Sequence, residues 1–94
     1  MKVALTVWED RIAPLFDSAR MLLIANIENK TVANKCYEPF YSELPIYRAA
    51  KLSDLGVRVL ICGAVSQPLA NMVEAYGIEL IPFVTGGVNQ VLDA

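Results

Sequence analysis

The sequence contains no histidine and only two cysteines, Cys36 and Cys62. Histidine is the commonest general base and a frequent metal ligand, so both tasks fall to other residue types. Two cysteines at this separation fit neither a zinc ribbon nor a redox-active Cys-x-x-Cys motif, and a structural zinc site lacks enough ligands. Any metal chemistry must therefore use a thiolate, carboxylates or backbone groups, or must involve a preassembled cluster.

A concentration of basic residues is also missing. The chain carries 8 basic and 10 acidic residues, for a net charge of −2, and its lysines and arginines are scattered singly. Nucleic-acid binding calls for a basic patch or stripe. We therefore expect no nucleic-acid partner.

Long hydrophobic runs are absent as well. No apolar run approaches the roughly 18 residues that a membrane span requires. The apolar stretch Lys2–Trp8 is short and is followed at once by Glu9 and Asp10, a pattern that does not fit a signal peptide. These features predict no membrane partner and a cytoplasmic location.

What the sequence does contain is a large apolar fraction, 55% of its residues, which argues against disorder. Its length predicts a single domain over residues 1–94. Hydrophobic patterns predict strands at Lys2–Trp8, Met21–Glu28, Thr31–Tyr37, Val57–Cys62 and Ile78–Val84. Helices are predicted at Leu44–Leu55, from Ser66 to a stop at Gly77, and from Val88 to the end. The order β-β-β-α-β-α-β-α predicts an α/β fold, a ribonuclease H-like mixed sheet of about five strands.

The patterns within the strands also predict their places in the sheet. Lys2–Trp8 is apolar on both faces, as a central strand should be. Asn29-Lys30 predicts a tight hairpin turn, because asparagine favours the positive φ that such turns need. Pro82 confines the last strand to an edge or to a strand end.

Three connections are expected to meet where a ligand can bind, because ligands of open α/β sheets collect at the carboxyl ends of the parallel strands. They are the loop Glu9–Arg20, the segment Cys62–Ser66 and the segment Thr85–Gly87. A glycine after a strand permits close backbone approach, and the N-terminus of the following helix is a candidate anion seat. The same pattern also serves an ordinary capped strand–helix turn.

Cys62 has two interpretations at this position. A thiolate is favoured near a helix N-terminus and is a soft ligand for copper, iron–sulfur or molybdenum–sulfur species. The alternative is a small hydrophobic residue that fills the end of a buried strand. Cys36 is interpreted as structural, and a Cys36–Cys62 disulfide is disfavoured in a reducing compartment.

The charged residues allow several readings. Arg11, Arg20 and Arg48 could bind an anionic ligand, or they could be solvated and, for Arg48, cover the core. Asp10 and Asp17 could ligate a hard metal or act as an acid–base pair, although Asp17-Ser18 is more simply a turn. Ribonuclease H chemistry needs several acids, including one on the first strand, which has none, so we expect no two-metal nuclease activity.

Five segments, in the right order along nearly the whole chain, resemble motifs of one family: Arg11–Ala19, Arg48–Leu52 with Leu55–Val57, Leu60–Ser66, Gly77–Glu79, and Thr85–Val88 with Val91–Leu92. It is the dinitrogenase iron–molybdenum cofactor biosynthesis family, which includes the NifX-like proteins. The resemblance implies that the three loops bind or carry an anionic iron–molybdenum–sulfur or molybdenum–copper–sulfur cluster, or its precursor. Cluster donor or acceptor proteins are the implied partners.

The resemblance also implies a set of cluster-binding residues on these loops, with Cys62 as the metal ligand: Arg11, Pro14, Phe16, Cys62, Gly63, Ala64, Ser66 and Gly86. Many family members carry a Gly- and His-rich loop after the third strand, but the loop Glu38–Glu43 contains neither residue type. Either this chain binds its cluster through Cys62 and backbone groups, or it is a metal-free protein-interaction or regulatory module. The second reading would use an exposed aromatic patch of Tyr37, Phe40, Tyr41 and Tyr47.

Overall fold

The computed structural model describes residues 1–41 and 44–93; for residue 93 it describes the backbone only. The strands are β1 (Lys2–Trp8), β2 (Arg11–Ile12), β3 (Met21–Glu28), β4 (Thr31–Pro39), β5 (Val59–Ile61) and β6 (Glu79–Ile81). The helices are α1 (Pro45–Asp54), α2 (Gln67–Ala75) and α3 (Val88–Asp93), and a 3₁₀ turn spans Phe16–Ser18. No helix in the described part is long and apolar enough to cross a membrane.

The six strands form one mixed sheet in the order β4-β3-β1-β5-β6, with β2 paired to the end of β1. The β1–β3 and β3–β4 pairs are antiparallel, and the β1–β5 and β5–β6 pairs are parallel. The predicted mixed α/β sheet is therefore confirmed. β1 lies at its centre with every residue buried except the two at its ends, as its apolar pattern predicted.

Side chains that alternate along β1 contribute to a core on each face of the sheet. Ala4 belongs to the larger core, which also contains Leu52 of α1 and Leu69 of α2. Val3, Leu5 and Val7 belong to the smaller one, together with Val88 of α3. Two helices thus cover one face and the short third helix covers the other.

Several predicted boundaries need correction. The loop Glu9–Arg20 contains β2 and the 3₁₀ turn, because its backbone finds partners on other segments. β4 continues to Pro39 rather than ending at Tyr37. β5 is shorter than Val57–Cys62, since the Val57 N–H closes α1 by donating to the Leu52 carbonyl. Part of the predicted loop Glu38–Glu43, residues 42 and 43, lies outside the described residues.

Two local predictions hold at the ends of the sheet. Asn29 and Lys30 connect β3 to β4 with φ of 52° and 66°, so both residues of this tight turn are left-handed, as type I′ hairpins require. β6 is an edge strand and Pro82 follows it directly. The predicted strand Ile78–Val84 is cut short there, because Phe83 also has a positive φ, of 64°, which no regular strand accommodates.

Candidate functional site

The three predicted loops are joined by backbone hydrogen bonds at the carboxyl ends of β1, β5 and β6. The Ala64 N–H donates to the Pro14 carbonyl (2.9 Å), and the Phe16 N–H donates to the Ala64 carbonyl (2.8 Å). On the other side, the Ile12 N–H donates to the Gly86 carbonyl (3.0 Å). The loops therefore form one surface although they are far apart in sequence.

A cleft of about 480 Å³ lies between these loops and is lined by residues 11, 12, 14, 63, 64 and 83–86. We call it the loop cleft. A volume of this size is in the usual range, about 300–1,000 Å³, for a small-ligand site. It brings together the following predicted site residues: Arg11, Pro14, Gly63, Ala64 and Gly86.

Arg11 is the one charged residue that lines the loop cleft in the described part of the chain. It is exposed at the start of β2, where its backbone bridges to Gly87. Its guanidinium makes no hydrogen bond or ion pair with residues 1–41 or 44–93, so its donors are available to a ligand. A planar guanidinium with free N–H groups suits an anion with several acceptor atoms.

Phe16 does not line the cleft, contrary to the prediction from the family resemblance. Its side chain is fully buried in the larger core. Its ring lies 5.9 Å from that of Phe40, centroid to centroid, with the planes 28° apart. An aromatic pair of this geometry stabilises the core. Phe16 therefore packs the loop after β1 onto the core, and its side chain is not exposed to the cleft.

Cys62 is also displaced from its predicted role. The residue is fully buried in the larger core and does not line the loop cleft. Burial, assisted by the negative charge of Asp17, raises the pKa of the Cys62 thiol to about 12. The structure therefore places the Cys62 thiol inside the core, protonated at neutral pH, and not at the mouth of the cleft where a thiolate ligand was predicted.

The buried thiol predicts an alkaline loss of stability. The unfolded Cys62 thiol, with a pKa near its ordinary 9.0, ionises well before the folded one, whose pKa is about 12. Between these values the unfolded state binds fewer protons, so the free energy of unfolding falls as pH rises. From pH 8 to pH 10 we expect wild type to lose about 1 kcal/mol more of its free energy of unfolding than Cys62→Ala, measured in urea titrations.

Cys36→Ala is the matched control for this titration, because Cys36 is exposed on β4. It should retain the full alkaline loss of the wild type. Equal slopes for wild type and Cys62→Ala would contradict a buried neutral thiol.

Ser66 does not face the loop cleft, because it binds the carboxylate of Asp17. The Ser66 N–H donates to Asp17 Oδ1 (2.8 Å), and its hydroxyl donates to Asp17 Oδ2. A carboxylate at a helix N-terminus is favoured by the free N–H groups and by the helix dipole. The chain's own Asp17 therefore occupies the predicted anion seat of α2, and a second anion is disfavoured there.

Arg48 holds the same loop from inside. Its side chain is buried, and its Nη1 donates to the carbonyls of Phe16 (3.2 Å) and Ala19 (2.7 Å). Its Cζ lies 4.5 Å from the centroid of the Phe40 ring, in cation–π geometry. Arg48 is thus a positioning residue for the loop after β1 and does not line the loop cleft.

Phe83 was missed by the sequence analysis. It lines the loop cleft, is 73% exposed, and holds a left-handed φ of 64°, which is unfavourable for an aromatic residue. Its N–H donates to the Gly63 carbonyl (2.9 Å), which keeps the backbone in this conformation. An exposed, strained aromatic at a cleft is a reason to look for a binding role. The one sequence feature that could have indicated this role is the position of an aromatic residue directly after Pro82.

A second hollow of about 710 Å³ lies on the other side of Pro14, which lines both. It is lined by residues 7–10, 13–15, 18–21 and 37, and we call it the Trp8 groove. Of the predicted aromatic patch, Phe40 is buried, whereas Tyr37, Tyr41 and Tyr47 are exposed. Arg20 and Tyr37 line the Trp8 groove.

Comparisons with known proteins agree with this fold. The sequence profile described as "Dinitrogenase iron-molybdenum cofactor" matches residues 1–94. No curated protein matches the sequence. The crystal structure of the protein PH0822 is similar with a TM-score of 0.93 and 19% identity, over 100% of this chain and 88% of that one.

A second relative is a Methanocaldococcus jannaschii protein, MJ0327, provisionally described as a dinitrogenase. Its crystal structure is similar with a TM-score of 0.79 and 20% identity, over 99% of this chain and 85% of that one. Its NMR structure gives a TM-score of 0.79 and 21% identity, over 99% and 83%. At these identities the likeness concerns the fold.

Proposed function

This chain belongs to the dinitrogenase iron–molybdenum cofactor family, and from that premise we propose that it binds an anionic metal–sulfur cluster, or a precursor of one, during cofactor assembly. The cluster is cargo, of the iron–molybdenum–sulfur or molybdenum–copper–sulfur type, and the protein catalyses no reaction on it. The observation that supports this proposal best is the loop cleft, where, among the residues that the structure describes, Arg11 has no side-chain partner and no other charged residue lines the walls.

The donor groups near the loop cleft suit an intact cluster better than a bare metal ion. The chain has no histidine, Cys62 is buried, and no group of three or more acidic or cysteine side chains in the described part could hold a metal. A cluster already carries its own sulfide ligands, so it can be held through its outer atoms. Arg11 can donate to those sulfides without replacing any metal ligand.

Backbone N–H groups near the cleft could bind an anion together with the Arg11 guanidinium. Thr85 and Gly86 line the cleft, and their N–H groups have no hydrogen-bond partner among the described residues. Gly86 has a φ of 119°, a conformation that side chains rarely adopt, and the absence of a side chain there leaves its backbone open to a ligand. An anion can therefore be held by backbone dipoles as well as by the guanidinium.

The apolar walls of the cleft would reduce the access of water to the cargo. Ile12, Val84 and the exposed ring of Phe83 contribute to these walls. The left-handed conformation of Phe83 costs on the order of 1–2 kcal/mol. This cost is consistent with a ring held at the cleft for binding rather than for stability, since 73% of it is exposed.

Replacement of Arg11 should weaken cluster binding without affecting the fold. Because the guanidinium is exposed and unpaired, Arg11→Gln removes a ligand contact and no internal one, and we expect about a fivefold loss of apparent affinity. The apoprotein is incubated anaerobically with tetrathiomolybdate, alone or with Cu(I), or with an iron–sulfur source. Gel filtration with visible absorption and metal analysis then quantifies the retained complex.

Arg58→Gln is the matched control, since Arg58 is exposed and precedes β5 at the opposite end of the sheet from the loop cleft. Both variants have the same net charge. Equal affinities of the two variants would remove Arg11 from the site. Cys62→Ala should retain the complex as well as wild type does, provided that it remains folded.

A metal-free interaction module is the second candidate function. The specific observation in its favour is the exposure of Tyr37, Tyr41 and Tyr47, each by more than half of its surface. If no cluster source gives a retained, stoichiometric complex with wild type, this reading replaces the first.

A further inference from the structure

We propose that the Trp8 groove is a second binding site, which takes a segment of a partner polypeptide with an apolar or aromatic side chain beside a lysine or arginine. The inference concerns a different surface from the loop cleft and holds whether or not a cluster binds there.

The groove has the walls of a peptide-anchor site. Trp8, at the end of β1, is 59% exposed, and Tyr37, near the end of β4, is 58% exposed. Leu15 and Met21 add aliphatic surface from the loop and from the start of β3. Exposed apolar clusters rimmed by polar residues mark interaction sites, and Trp and Tyr are the side chains that most often contribute binding energy.

The charges on its rim define the chemistry of the occupant. Glu9 and Asp10 form the turn between β1 and β2, both are exposed, and both line the groove. Their carboxylates make no hydrogen bond or ion pair within residues 1–41 and 44–93. An unpaired pair of acids beside an apolar wall favours a ligand with a cationic group next to its apolar one.

The conformation of Glu9 supports the same assignment. Its φ of 57° is left-handed, in a tight turn where glycine is the residue without strain. The Glu9 side chain makes no hydrogen bond or ion pair with residues 1–41 or 44–93 that would account for this conformation. A left-handed residue that lines a surface groove is a reason to look for a binding role there, as it is for Phe83 at the loop cleft.

The groove and the loop cleft therefore select ligands of opposite charge. The cleft carries Arg11 and no acid, whereas the groove carries two acids against one arginine, Arg20. An anionic cluster is disfavoured in the groove, and a cationic peptide is disfavoured in the cleft. Because Pro14 lines both, a partner bound in the groove would lie directly beside the cargo.

The test is a selection with a random heptapeptide phage library on the apoprotein. We expect enriched sequences with Phe, Leu or Met adjacent to Lys or Arg, and the enrichment should disappear on the Glu9→Gln/Asp10→Asn variant. A selected peptide without tryptophan is then titrated while the emission of Trp8, the only tryptophan of the chain, is followed. Saturable change in that emission places the peptide in the groove.

Substitutions in peptide and protein separate the two contributions. Replacing the peptide's anchor by alanine should weaken binding about tenfold, and replacing its basic residue by glutamate about three- to tenfold. Tyr37→Ala should weaken binding, whereas Tyr76→Ala, an exposed aromatic at the end of α2, should not. The proposal is overturned if no sequence pattern is enriched, if the acid-free variant binds the peptide equally well, or if Trp8 emission does not respond.

Discussion

Replacement of Gly63 by alanine is expected to lower the free energy of unfolding by about 3 kcal/mol. A Cβ at this position would lie 2.5 Å from the carbonyl oxygens of both Ala13 and Pro14, and 2.9 Å from the carbonyl carbon of Pro14. A Cβ essentially never lies this close to a non-bonded atom, so the backbone of one segment must move.

That movement is opposed by hydrogen bonds on both sides of the contact. The Pro14 carbonyl accepts the Ala64 N–H (2.9 Å), and the Ala13 N–H donates to the Thr6 carbonyl (2.9 Å). Gly63 itself accepts the Phe83 N–H through its carbonyl. Any relief of the clash therefore strains the backbone contacts that define the loop cleft, and we expect Gly63→Ala to reduce cluster uptake as well.

Gly77→Ala is the informative control, measured by urea denaturation alongside Gly63→Ala. Gly77 has a φ of 79°, but a Cβ there meets no atom within 4 Å. Its replacement should cost about 1 kcal/mol through the conformation of the backbone alone. If Gly63→Ala proved no more destabilising than Gly77→Ala, the close approach between Gly63 and the loop after β1 would be incorrect.

The second large effect is expected for Arg48→Met, about 2–3 kcal/mol of destabilisation. Methionine can fill much of the same volume, but it removes the donor to the Ala19 carbonyl in the interior and leaves the Phe16 carbonyl with the Ala19 N–H alone. It also removes the cation from the face of Phe40. Part of the loss is offset because a buried charge no longer has to be desolvated.

Arg58→Met controls for the general effect of removing an arginine, because Arg58 is exposed. Its effect should stay within about 0.5 kcal/mol. Urea titrations of both variants measure the difference directly. A similar small effect for Arg48→Met would mean that the loop after β1 keeps its conformation without the arginine.

Much of the fold could be predicted because the relevant signals are local. β1 and β3 have the predicted bounds, since their apolar runs are long and end in charged or turn residues. The Asn29-Lys30 turn needed only its own two residues, and Pro82 excluded a central strand by chemistry alone. The family could be recognised for a related reason, because motif order along a chain is a property of the sequence.

The site was only partly accessible in this way. The three loops could be identified from their positions after predicted strands, and Arg11, Pro14 and Gly63 do line one cleft. Cys62 and Phe16 lie in the same segments yet point into the core. A neighbour in sequence at the end of a strand can face either side of the sheet, and hydropathy does not distinguish a buried thiol from an exposed one.

The sequence by itself determined the α/β class, the central strand, the hairpin and the absence of histidine-based chemistry. The tertiary structure alone decided that Asp17 occupies the start of α2, that Arg48 supports the loop after β1, and that Phe83 is held exposed at the cleft. The physical reason is the separation along the chain of the residues that interact. Propensity and periodicity act within a few residues, whereas each of these roles requires atoms that are brought together from distant segments by folding.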